Sequence, residues 1–258
     1  MSGKVYLVGA GPGDPELLTL KAARLLAHAD VVLHDALVSV GVLAMISPAA
    51  ETINVGKRAG YKLLTQEEIN ALLVSYARTR AIVVRLKGGD PSIFGRAGEE
   101  IEALRAAGIE YEMIPGISAA LGAAAAAGIS LTDRRVASQI LFTTFSRGNN
   151  ASAMDWGCVS STTTLVLFMP GADYTEVSER LLEGGLPAEL PCVIVSQATG
   201  SQQEVRWSTV ARLASEEKLP APALLIVGRV ASREIAEISA AYWRKDQKDA
   251  IVRRVSVI

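Results

Sequence analysis

The chain has 258 residues, a length that suits one large or two modest domains. Half of its residues are hydrophobic and 21% are charged, which excludes a disordered chain. Lys+Arg number 26 against Asp+Glu 27, so net charge draws it towards neither nucleic acid nor an acidic membrane. Mean hydropathy is +0.28, but this comes from short apolar runs and abundant alanine. The longest such stretch, around Ile117 to Leu131, falls well short of the ~20 apolar residues of a membrane span once its glycines and serines are discounted. No h-region or cleavage site follows Met1, so no signal peptide is expected. Cys158 and Cys192 are too few for a disulfide framework, which points to a reducing cytoplasm. With two cysteines and two histidines, no metal site is expected, and a His-centred triad has only His28 and His34 to draw on.

Along the chain, apolar runs of strand length alternate with segments of helical period. Val5–Gly9 reads as a strand. Asp14 then caps a helix with Pro15 at its first position, and Leu17, Leu18, Ala22, Leu25 and Leu26 give that helix one apolar stripe. Val31–His34 and Ile53–Val55 read as the second and third strands. A capping box from Thr65 to Glu68 opens a helix to about Arg78. Ile82–Leu86 is the fourth strand, Glu99–Ala107 a helix and Ile109–Ile114 the fifth strand. Strand and helix in strict alternation, with nearly all-apolar strands, predict a parallel sheet covered on both faces.

Pro115-Gly116 breaks this pattern, and an Ala-rich helix, Ser118–Ala127, follows. Beyond it, Ile140–Phe145, Leu165–Met169, Val193–Val195, Glu204–Trp207 and Leu224–Val227 read as strands. Residues Thr199–Gln203 are short enough for a hairpin, so this second sheet is expected to be mixed. A capping box from Asp173 to Glu176 opens a helix to about Glu183. Arg147–Ala153 is polar and small and reads as a mobile loop. The organisation expected is α/β throughout: a domain over 1–114, a second over 115–243, a cleft between them, and a tail at 244–258.

The cluster Gly9-Ala10-Gly11-Pro12-Gly13-Asp14 follows a strand and precedes a helix, where backbone N–H groups can approach a ligand. A dinucleotide fingerprint fails at its third glycine, because Asp14 stands there and would repel a pyrophosphate. Asp35 also comes late for a ribose contact. A rigid tight turn explains the cluster equally well. More informative is what all five strands deliver beyond their carboxyl ends, where open parallel sheets bind ligands. These are the Gly-Pro-Gly turn, His34-Asp35, Gly56-Lys57-Arg58, Lys87-Gly88-Gly89-Asp90-Pro91 and Pro115-Gly116-Ile117-Ser118. Taken singly, each has a plain reading as a cap, a surface pair or a β-turn. Together they favour a site. Asp35 beside Lys57 would make a carboxylate able to accept a proton.

At this point the residues resemble the tetrapyrrole methylase family. Val8-Gly9-Ala10-Gly11-Pro12-Gly13-Asp14-Pro15-Glu16-Leu17-Leu18-Thr19-Leu20-Lys21-Ala22 is similar to its first signature, and Asp35-Ala36-Leu37-Val38-Ser39 to its second. Val55-Gly56-Lys57-Arg58-Ala59-Gly60, Gln66-Glu67-Glu68-Ile69-Asn70, Val84-Arg85-Leu86-Lys87-Gly88-Gly89-Asp90-Pro91, Ile93-Phe94-Gly95-Arg96 and Pro115-Gly116-Ile117-Ser118-Ala119 follow the family pattern. The likeness covers about residues 3 to 230 and is densest in the first 135. The run through Asp35 and Lys57-Arg58-Ala59-Gly60 resembles the branch that acts on uroporphyrinogen III.

The resemblance implies an S-adenosylmethionine-dependent C-methyltransferase that methylates C-2 and C-7 of uroporphyrinogen III. Its product, precorrin-2, feeds sirohaem and cobalamin synthesis. It implies Asp35 as general base and Lys57 as cationic partner or proton donor. Pro12, Gly88, Gly89, Asp90, Ile93, Ser118, Ala119, Met169 and Ala198 would line the S-adenosylmethionine pocket. It also implies a homodimer with a small-molecule substrate and neither nucleic acid nor membrane as partner. The substrate's carboxylates would suit Lys57, Arg58, Lys62, Arg85, Lys87, Arg96, Arg134 and Arg135, for which surface solubility is the other explanation.

The sequence departs from the family at His34 and Ala36 (Tyr and Arg in many relatives), at Ser92, at Asp133, at Thr144-Phe145-Ser146 and at Pro170, which removes a backbone donor after Met169. Two other readings stay open. One is a methylase of another precorrin. The other is a non-catalytic protein that binds a tetrapyrrole or S-adenosylmethionine.

Overall fold

A computed structural model describes residues 3–56, 64–145, 155–171 and 173–234. Lys57, Arg58, Lys62, the polar stretch 147–153 and the tail 244–258 lie outside the described residues. The chain divides into two compact units at Gly122/Ala123, with the short segment Thr199–Ser201 belonging to the first.

The first unit carries β1 (Lys4–Gly9), α1 (Leu20–His28), β2 (Val31–His34), α2 (Val40–Leu43), β3 (Glu51–Asn54), α3 (Gln66–Ala77), β4 (Ile82–Lys87), α4 (Ala97–Ala106) and β5 (Glu110–Ile114). Its sheet has the order β3-β2-β4-β1-β5, and every pairing is parallel. The strands alternate faces as a pleat requires. Val5, Leu7, Val31, Leu33 and Val83 pack with Leu73 of α3 and Leu104 of α4. Val8, Val32, Val84 and Leu86 pack with Leu26 of α1 and Val42 of α2. Leu7, Leu26, Leu33 and Leu86 are fully buried, each stabilising the fold by roughly 1.5–3 kcal/mol relative to exposure.

Local chemistry sets the boundaries. The Thr65–Glu68 capping box forms with both of its halves. Asp30 accepts from the N–H groups of Ala81 and Ile82 at 2.9 and 2.8 Å, fixing the start of β4 beside that of β2. The helix expected from Asp14 is instead a single 3₁₀ turn, Pro15–Leu17, after which the helix restarts. Thr19 provides the new cap by accepting from the Ala22 N–H, so the apolar stripe divides between turn and helix. The sequence pattern had not indicated α2, whose single turn is capped by Ser39.

Helix α5 (Ala119–Ala126) leads to the second unit, which contains β6 (Gln139–Thr144), β7 (Thr163–Phe168), α6 (Tyr174–Glu183), β8 (Pro191–Ser196), β9 (Glu204–Thr209) and β10 (Ala223–Val227). The sheet order is β6-β7-β10-β8-β9. β6 and β7 are parallel, while β10 runs antiparallel to β7 and β8, and β8 antiparallel to β9. It is therefore a mixed sheet, with β8 and β9 as the expected hairpin. Leu165, Leu167, Val177, Leu181, Ile194, Leu213 and Leu225 form its core with Cys192, whose thiol is pushed up by burial.

Candidate active site

All five strands of the parallel sheet end at one edge, and three of the loops there press backbone against backbone. Gly11 donates to the Gly89 carbonyl at 3.2 Å and Gly89 donates back at 2.8 Å. A Cβ on Gly9 would lie 2.6 Å from the Gly116 Cα, and one on Gly116 would lie 2.3 Å from the Gly89 oxygen. Gly11 and Gly89 also sit at φ +71° and +66°, where other residues are strained. The glycines thus bring the loops after β1, β4 and β5 into contact. Pro12 joins them through Gly122 of α5, on which a Cβ would lie 2.5 Å from the Pro12 Cβ.

This edge gathers Pro12, Gly88, Gly89, Asp90, Ile93, Ser118 and Ala119. The Ala119 N–H and the Ser118 Cα would lie 3.3 and 3.9 Å from a Cβ built on Gly89. Asp90 ties two loops together. One of its oxygens accepts from the Gly116 N–H at 2.9 Å. The other accepts from the Ser92 N–H at 2.8 Å and from the Ser92 hydroxyl, which gives the unusual Ser92 a local purpose. Ser118 is buried, and its hydroxyl accepts from the Ala120 N–H at 3.3 Å.

Beside this edge lies a cavity of about 540 Å³, bordered by Asp35, Gly56, Gln66, Arg85, Lys87, Phe94 and Arg96 among others. Asp35 follows β2, its N–H bonded to the Leu86 carbonyl at 3.0 Å. Its carboxylate meets the Arg85 guanidinium. Arg85 and Lys87 both leave β4 on the side of α3 and α4, and both are only 2% exposed. Glu100 of α4 has no exposure at all. It takes Arg85 Nε at 2.9 Å and Lys87 Nζ at 2.9 and 3.0 Å on its two oxygens. Gln66 Nε2 lies 3.4 Å from the same acid.

Two acids and two bases therefore balance in one chain, buried at Arg85, Lys87 and Glu100 and half-buried at Asp35. Burial pulls the Arg85 guanidinium down, but Asp35 and Glu100 outweigh it and leave Arg85 raised. Burial, followed by repulsion from Arg85, holds the Lys87 ammonium below its ordinary range despite the pull of Glu100. His34 is also buried and bonds the Asp35 carbonyl through Nδ1 at 3.0 Å. Gly56 packs against the chain at Ala36, where a Cβ would fall 1.9 Å from the Ala36 nitrogen. Lys57 follows it directly in sequence but is not among the described residues.

The basic residues behave differently from a ring of carboxylate receptors. Arg85 and Lys87 are occupied by internal acids. Arg96 pairs with Glu99 at 2.7 Å, and Arg135 pairs with Asp133 at 2.6 Å in a self-contained turn. Arg134 is exposed. Sequence reasoning missed Glu100 and the part played by Gln66. The available signal was an Arg and a Lys at alternate positions of a buried strand, which demand an acid from the covering helix.

In the second unit, Met169 follows β7 and Ala198 lies two residues after β8. Both strands flank β10, where Leu224 pairs with Phe168 and Ala223 with Ser196, so both residues lie at the same edge of that sheet. Met169 is 49% exposed and Ala198 is buried. Among the described residues, the non-glycine residues at positive φ are Phe94, Arg96, Met169, Gln197 and Thr199. All five lie in loops that follow β4, β7 and β8. Such conformations cost about 1–3 kcal/mol each and cluster at functional sites.

A small-molecule enzyme site at the carboxyl edge of an α/β sheet is the class this geometry defines. The chain matches the model of the tetrapyrrole (corrin/porphyrin) methylases over residues 4–214, and it belongs to that family. A uroporphyrinogen-III C-methyltransferase of Paracoccus denitrificans is 48% identical over 235 residues, covering 89% of this chain and 82% of the relative. A siroheme synthase of Sodalis glossinidius is 44% identical over 258 residues, covering 99% of this chain but 54% of the relative. The chain spans about half the length of the siroheme synthases it matches. The crystal structure of a Thermus thermophilus uroporphyrin-III C-methyl transferase complexed with S-adenyl homocysteine superposes with a TM-score of 0.77 at 37% identity, covering 88% of this chain and 93% of the other.

Proposed function

We propose that this chain is an S-adenosylmethionine-dependent C-methyltransferase that converts uroporphyrinogen III to precorrin-2 by methylation at C-2 and C-7, in the route to sirohaem and cobalamin. The single observation that carries the reading is Asp35, a carboxylate held by a buried arginine on one side and bordering a 540 Å³ cavity on the other. The family membership supplies the reaction class.

The residues present fit the methyl donor. The Gly9–Gly89–Gly116 contact leaves no space for a Cβ on Gly9 or Gly116, so loop backbone is brought close where a ligand of this size needs N–H and carbonyl partners. S-adenosylmethionine supplies a methyl group already activated on a sulfonium. The protein's own contribution is alignment, exclusion of water and acceptance of a proton. Methylation leaves the ring carbon fully substituted and the ring cationic, so the proton must be lost from a neighbouring position. Asp35 takes that proton, and Arg85 holds the accepting carboxylate in place. Lys57 is its cationic partner or proton donor, and the nine cofactor positions implied by the resemblance contact the donor. Residues 1–114 make the catalytic domain and 115–243 the second. The enzyme works in the cytoplasm as a homodimer, whose mass light scattering would read.

The test is anaerobic incubation with uroporphyrinogen III and S-adenosylmethionine, followed by mass and absorbance. A product heavier by two methyl groups is expected. No methylated product despite bound cofactor would reject the substrate assignment.

A further inference from the structure

Glu100 has no place in the reaction as described so far, yet it is fully buried and receives three side-chain donors. A buried carboxylate is unfavourable unless its partners compensate, and an apolar replacement of a buried ion pair is often as stable. Pairing with Lys87 alone would neutralise it. The geometry does more, because the same oxygen that meets Lys87 Nζ also takes Arg85 Nε at 2.9 Å. A guanidinium is a planar fork, so fixing Nε and one edge fixes the direction of the remaining nitrogen. The Arg85 Nη1 lies 3.4 and 3.3 Å from the Leu33 and Leu86 carbonyls, and Nη2 is left for Asp35.

We infer that Glu100 is a positioning residue for the methylation: through Arg85 it sets the orientation of the Asp35 carboxylate, and through Lys87 it keeps a neighbouring ammonium off that carboxylate. This rests on the role proposed for Asp35. Lys87, which lines the same cavity as Asp35, would otherwise be free to turn towards that carboxylate.

Two double variants test it without leaving an odd charge in the interior. Lys87→Met with Glu100→Gln keeps an amide oxygen for Arg85 Nε. Lys87→Met with Glu100→Leu removes it. Each retains one cation, Arg85, and one carboxylate, Asp35. The leucine form is expected to show kcat lower than the glutamine form by about tenfold or more, with equal KM and equal dissociation constants for S-adenosylhomocysteine. Equal kcat in the two folded forms would overturn the inference. Arg85→Lys provides a second arm that does not depend on the leucine form folding. It keeps the charge and loses the fork, so kcat should fall by a similar factor, and an unchanged kcat would also overturn the inference. Asp35→Ala is assayed beside them. Wild-type turnover in that variant would reject Asp35 as the base, which is a separate failure from an active leucine form. A wild-type chain that does not methylate uroporphyrinogen III would reject the functional reading itself.

Discussion

On one side of β4, Val84 and Leu86 pack against Leu26 and Val42 in a wholly apolar cluster. On the other, Arg85 and Lys87 project from the same strand into a buried network with Glu100 and Asp35. Both sides are covered by helices, but the ionic side opens at Asp35 onto the cavity. The apolar side would be the simpler way to hold a sheet together, since buried ion pairs rarely exceed a hydrophobic replacement in stability. The ionic side is therefore best explained by what it holds, a carboxylate at the cavity.

The difference predicts how each side fails. Arg85→Met should be the most damaging change, because it strips Asp35 of its partner and leaves Lys87 alone with Glu100. A loss of about 3–5 kcal/mol in urea unfolding is expected, together with a fall in kcat per folded molecule. Leu26→Ala, on the apolar side, should lose about 2–5 kcal/mol through its cavity while kcat per folded molecule is kept. Equal kinetic damage from both would erase the distinction. The smallest effect belongs to the surface pair in the second unit. The Arg135 side chain and backbone N–H hold the Asp133 carboxyl at about 2, below its ordinary 3.8. A depressed carboxylate stabilises the folded state above its unfolded pKa and stops doing so as pH falls through the folded one. Asp133→Asn should thus lose less than about 1 kcal/mol near neutrality, and the gap to wild type should close between about pH 4 and pH 2, as pH-dependent unfolding would show.

The elements of both units were largely legible, because strand-length apolar runs and the Thr65–Glu68 box are local signals. The restart of the first helix at Thr19 was not. Its apolar period runs through the break, and only the competition between the Asp14 and Thr19 caps decides it. At the site, the glycine turns and Asp35 were legible from their place after the strands. The burial of Arg85 and Lys87 was misread as availability to the substrate, since sequence shows a charge but not its partner. Glu100 was hidden for the same reason: on a helix rich in Glu99, Glu100 and Glu102, nothing local tells which acid turns inward. The left-handed residues Phe94, Arg96, Met169, Gln197 and Thr199 carry no compositional mark either, because tertiary packing imposes such conformations.

The most direct measurement compares turnover and cofactor binding in Asp35→Ala with those of the wild type. S-adenosylhomocysteine should bind the two proteins alike by calorimetry, while methylation of uroporphyrinogen III should fall by about 10²–10⁴-fold in the variant. Undiminished methylation would contradict the placing of the chemistry at Asp35. A loss of cofactor binding equal to the loss of turnover would show that this edge of the sheet serves binding alone.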